Sequence, residues 1–65
     1  MAISLAAARV NAKLTQAQVC EVLGISKNTL VNYESYKTSP DIAKASQLAE
    51  LYKCDMSDIR WSDEG

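Results

Sequence analysis

Between Lys27 and Asn32 the chain places an ammonium (Lys27), two carboxamides (Asn28 and Asn32) and a hydroxyl (Thr29) within two helical turns. In a helix Asn28 and Asn32 are four apart and share a face. A carboxamide presents an acceptor and donors in one plane, and lysine presents three donors on a point charge. Such groups suit base edges and phosphate oxygens better than a packed interior, with asparagine able to pair bidentately with adenine and lysine to donate to guanine. Taken alone, the same residues would also make a plain solvated helix face. Catalysis has little to work with. Histidine is absent, Cys20 and Cys54 have no base near them in sequence, and no glycine-rich phosphate loop occurs. An enzyme is not expected, nor is a cofactor or a small-molecule ligand. With no histidine and no paired-cysteine spacing there is no ligand set for zinc. The two cysteines sit within apolar periodicity and read as buried free thiols, with a disulfide between them left open.

The elements around these residues follow from local signals. Thr15 is a good N-cap, and Gln18 three residues later completes a capping-box pattern. Val19, Val22 and Leu23 give an apolar stripe at helical spacing, and Gly24 offers the left-handed freedom a helix end needs. Ile25 plugs the corner, and Ser26 caps a second helix predicted to run through Tyr33 to about Tyr36, with Leu30 and Tyr33 inward. Two short helices about a tight turn make a helix-turn-helix. A preceding helix is predicted over about Ser4 to Ala12, with Leu5, Ala6 and Val10 toward the core. Ser39 and Pro40 form a loop, and Asp41 caps a helix from about Ile42 to Tyr52 with Ile42, Ala45, Leu48, Ala49 and Tyr52 at core spacing. Asp55 and Asp58 frame a short fifth helix carrying Met56 and Ile59. The sequence therefore predicts an all-α, compact five-helix bundle, a single domain over residues 1–60 with a tail over residues 61–65 whose last residues fray. Met56, Ile59 and Trp61 serve equally well as core or as interface.

Sixty-five residues with two glycines and one proline fit a small helical bundle. The net charge of −1 is low for a nucleic-acid binder, but it is unevenly spread. Residues 1–40 carry Arg9, Lys13, Lys27 and Lys37 against Glu21 and Glu34, which is +2, and residues 41–65 sum to −3. No stretch approaches the roughly 18 apolar residues of a membrane span, and the N-terminus lacks signal-peptide character, so a cytoplasmic protein is expected.

The ordered set Arg9, Leu14-Thr15-Gln16, Val19-Cys20, Leu23-Gly24-Ile25-Ser26, Thr29-Leu30, Tyr33-Glu34, Lys37, Pro40, Leu48-Ala49 and Met56 with Ile59 resembles the Cro/phage-repressor class of helix-turn-helix proteins, the xenobiotic-response-element type included. The likeness covers about Leu5 to Ile59. It implies a lambda-repressor-like domain in which Lys27, Asn28, Thr29 and Asn32 read bases in the major groove. By the same resemblance Gln16, Lys13, Thr15, Ser26, Ser35, Tyr36, Lys37 and Thr38 contact phosphates, with Gln16 also bracing the reading helix, and Arg9 and Glu34 form an internal salt bridge. The chain departs from the family where Ser35 and Tyr36 replace a turn that often holds a glycine, and Tyr36 could there stack or hydrogen-bond on the DNA backbone. Cys20 replaces a small alanine. The partner implied is double-stranded DNA, a palindromic operator bound by a homodimer joined through the C-terminal half near Ile42 and Met56 to Trp61. A repressor of bacterial or phage origin, without its own effector domain, is the expected function. The alternative is a protein-interaction module on the same fold, such as an antitoxin or anti-repressor.

Overall fold

The computed structural model describes residues 2–63. Its order is β1 (Ile3–Ser4), α1 (Leu5–Asn11), α2 (Gln16–Leu23), α3 (Lys27–Glu34), α4 (Ile42–Leu51), a 3-10 turn (Met56–Asp58) and β2 (Ile59–Arg60). Each α-helix opens on a side chain that accepts a backbone N–H: Ser4 from Ala7, Thr15 from Gln18, Ser26 from Thr29 and Asp41 from Lys44. These bonds satisfy donors that would otherwise be orphaned at the helix starts. At Thr15 the reciprocal bond from its own N–H to Gln18 completes the box, 2.9 Å long.

All four helices end at a left-handed residue: Lys13 (φ 61), Gly24 (φ 69), Tyr36 (φ 64) and Lys53 (φ 57). Following each of them, the next backbone N–H reaches back to a carbonyl near the helix end: Leu14 to Arg9, Ile25 to Cys20, Lys37 to Asn32 and Cys54 to Ala49. This six-residue closure is the Schellman arrangement. At Gly24 a β-carbon would meet nothing within 4 Å, so glycine serves the backbone angle there and not a close approach.

The core joins Leu5 and Ala8 of α1, Val19, Cys20 and Leu23 of α2, Leu30 of α3, Leu48 and Ala49 of α4, then Tyr52 and Ile59. Tyr33 packs against it half-buried. Of the residues expected inside, Ala6 is half-buried but does not join the core, and three others lie outside. Val10 is 61% exposed because Leu5 and Ala8 set the inward face of α1, and Val10 falls on its far side. Val22 is 63% exposed, about 100° off the stripe made by Val19, Cys20 and Leu23. Ile42 is 79% exposed, since burial on α4 begins a turn later at Ala45.

The fifth helix does not form. Among the described residues four α-helices are present, and the segment after Lys53 makes one 3-10 turn before Ile59 turns extended (φ −113, ψ 134). So short a segment gains too few hydrogen bonds to offset the cost of starting a helix. As a strand it buries Ile59 to 3% exposure and pairs β2 with β1 in parallel, Ile3 opposite Ile59 and Ser4 opposite Arg60. Ile59 is thus core, whereas Met56 stays exposed. The third helix stops at Glu34, two residues before the expected end, because Tyr36 leaves the helical region. Trp61 packs half-buried against the core, and its indole N–H donates to the Met56 carbonyl at 2.8 Å, so the packed chain continues one residue into the expected tail. Glu64 and Gly65 of that tail lie outside the described residues. Cys20 and Cys54 are both free thiols, Cys20 buried as expected and Cys54 only half-buried.

Candidate nucleic-acid interface

Helix α3 is buried at Leu30 and turns its polar residues away from that contact. Lys27 and Asn28 are exposed, and Thr29 and Asn32 are half-exposed. Lys27 opens the helix, with Asn28 behind it and Asn32 one turn further along the Asn28 face. The carboxamides of Asn28 and Asn32 make no side-chain hydrogen bond among the described residues, which leaves their donors and acceptors for an external partner. Thr29 is engaged locally, its hydroxyl 2.9 Å from that of Ser26.

One carboxylate orients this helix. Glu34, at its C-terminal end, accepts from Arg9 Nε at 2.7 Å and from Gln16 Nε2 at 2.9 Å. Arg9 also donates to the Leu14 carbonyl at 2.9 Å. Glu34 therefore joins α1, the first residue of α2 and the end of α3. The Arg9 and Glu34 side chains are only 16% and 9% exposed, so water screens the pair weakly and the charge-assisted bonds hold their geometry. Tyr52 lies within the field of this pair. Burial first, and then the Glu34 carboxylate, holds its hydroxyl protonated well above the ordinary tyrosine range, with Arg9 pulling the other way.

The residues expected at phosphates occupy three places along the chain. Lys13, Thr15 and Gln16 surround the start of α2, and Ser35, Tyr36, Lys37 and Thr38 form the turn after α3; Ser26 sits between, at the start of α3. Two of them are partly committed and keep a donor spare. Thr15 Oγ1 accepts from Gln18 and keeps its own O–H, and Gln16 gives one of its two amide hydrogens to Glu34. Ser35 is less open, because its hydroxyl donates to the Asn32 carbonyl at 3.3 Å. Tyr36 has a role the sequence does not reveal: its hydroxyl accepts the Leu5 N–H at 3.3 Å, at the start of α1. The Arg60 guanidinium lies over its ring, 5.6 Å from the centroid. Arg60 carries no signal in the sequence, since only the β1–β2 pairing brings residue 60 back to this turn.

Among the described residues no cluster of three or more His, Cys, Asp or Glu side chains could hold a metal ion, and no helix is long and apolar enough to cross a membrane. No curated protein and no solved structure matches the chain. A helix-turn-helix family model of the Cro/repressor type matches residues 5–59, from the first turn of α1 to the start of β2. With most of its length matched and its α2–turn–α3 unit built as described, the chain belongs to the Cro/repressor-type helix-turn-helix family of DNA-binding transcription regulators.

Proposed function

We propose that the protein is a sequence-specific repressor that lays α3 in the major groove. The observation that carries this reading is the free amide pair Asn28 and Asn32 beside Lys27, on a helix whose other side is fixed by Leu30 and Glu34. Rigid presentation matters because a bidentate base contact tolerates little misalignment. Lys13, Thr15, Gln16 and Ser26 on one side, and Ser35, Tyr36, Lys37 and Thr38 on the other, hold the phosphates that set the helix in register. Thr29, tied to Ser26, meets the bases at the edge of the contact. Two copies joined through the exposed Ile42 and Met56 read a palindromic operator in the cytoplasm, with half-sites about one helical turn apart. A dimer seated on a promoter represses by occupying it.

The test is selection from a pool of random duplex DNA at two salt concentrations, with an Asn28→Ala/Asn32→Ala variant alongside. The expected result is a palindromic motif whose binding weakens as salt rises. The variant should lose roughly 2–6 kcal/mol of specific binding, about 1–3 for each bidentate pair. No enrichment at low salt would sink the proposal and favour a protein partner, as an antitoxin or anti-repressor on this fold would have.

A further inference from the structure

Arg60 belongs by sequence to the acidic half of the chain, but β2 pairs Arg60 with Ser4 and so returns it to the start of α1. There its guanidinium lies 5.6 Å from the centre of the Tyr36 ring. Tyr36 stands between Ser35 and Lys37 in the turn that follows the reading helix, and it holds an unusual backbone there, with φ 64. A bulky side chain in the left-handed region is strained and persists only where its surroundings fix it. Here they do, through the Leu5 N–H on its hydroxyl and Arg60 over its face.

Cation–π attraction draws on the charge of the guanidinium and leaves its N–H donors unspent. Among the described residues Arg60 has no carboxylate partner, and its side chain is exposed. An oriented guanidinium with free donors, beside a turn bearing exposed Lys37 and Thr38, is suited to a phosphodiester oxygen. We propose that Arg60 is a phosphate-binding residue of the DNA interface, with Tyr36 as the residue that positions it, and that it extends the footprint past the end of α3. The proposal rests on the DNA-binding reading above.

Full-length protein is titrated with the duplex it enriches from the random pool and with a scrambled duplex. Loss of one phosphate contact lowers the slope of log affinity against log salt by about 0.9, so from about 50 to about 200 mM salt the wild-type advantage over Arg60→Ala shrinks about 3.5-fold. The loss is expected to be equal on the two duplexes, because phosphates carry no sequence. Arg60→Lys should restore the slope, and Lys53→Ala, which removes the same charge elsewhere, should leave it intact. An unchanged slope in Arg60→Ala, or an equal fall in Lys53→Ala, would overturn the contact while leaving the DNA reading in place. Absence of salt-dependent binding by the wild type would overturn both.

Discussion

The hydroxyl of Tyr52 is enclosed where nothing among the described residues accepts its hydrogen, although a phenylalanine would fill the same space. An unmet buried hydroxyl costs about 1–3 kcal/mol. Tyr52→Phe should therefore stabilise the fold by about 1 kcal/mol, which in a domain of this size raises Tm by roughly 4–8 °C. A marked loss of stability would show that the hydroxyl has a partner, such as an ordered water. The same residue sets a pH dependence. In the unfolded chain tyrosine ionises near pH 10, whereas in the fold burial and then Glu34 keep Tyr52 protonated to higher pH. The folded state then binds more protons than the unfolded one above about pH 10, so stability falls as pH rises beyond that point. Denaturant midpoints measured from neutral pH to above pH 10 should fall less steeply for Tyr52→Phe than for wild type. Neither the orphaned hydroxyl nor its ionisation is legible in the sequence, which marks Tyr52 only as an apolar-face position on a helix.

Helix starts and helix ends differ in how far the sequence reveals them. Thr15, Ser26 and Asp41 are short polar N-caps at the heads of periodic runs, a signal that local chemistry carries by itself, while Ser4, expected as the first residue of its helix, caps it instead. The ends use one backbone geometry at four positions held by three residue types, of which Gly24 alone advertises it. Lys13 and Lys53 adopt the left-handed angle where the following residues, Leu14 and Cys54, turn in to pack against the core, whereas Tyr36 is held there by its contacts with Leu5 and Arg60. Lys53 is the plainest case, since it is exposed and its side chain forms no hydrogen bond or salt bridge among the described residues. The left-handed angle costs an ordinary residue about 1–2 kcal/mol, part of which glycine returns through its freer unfolded chain. Lys53→Gly should stabilise by ~0.5–1 kcal/mol, while Lys53→Ala, which keeps the β-carbon, should not. Equal thermal midpoints for the two variants would refute the strain.

At the scale of the molecule, the two chain ends meet in the β1–β2 pair, and this is where periodicity misleads. Met56 and Ile59 are three apart, as on a helix, but the partner that decides their conformation is Ile3, far away in sequence. The pairing buries Ile59, and among the described residues Ile42 and Met56 are the exposed large apolar side chains of the C-terminal half. Those two are the candidates for the proposed two-fold contact. A standard interface buries about 800 Å² per partner, close to a fifth of this chain's 4250 Å² surface. A dimer of ordinary strength is therefore compatible with leaving α3 and its flanking turns uncovered. Ile42 is 79% exposed, so Ile42→Ser removes little from the monomer's own packing. Its thermal stability at low protein concentration should change by less than about 0.5 kcal/mol, as surface substitutions usually do. Sedimentation should instead show a weakened monomer–dimer equilibrium. Binding to a full palindrome should fall while binding to an isolated half-site stays constant, because only the full site gains from joining two copies. A variant that dimerises as wild type does would move the interface off Ile42. One that loses half-site binding as well would place Ile42 in the reading of DNA itself.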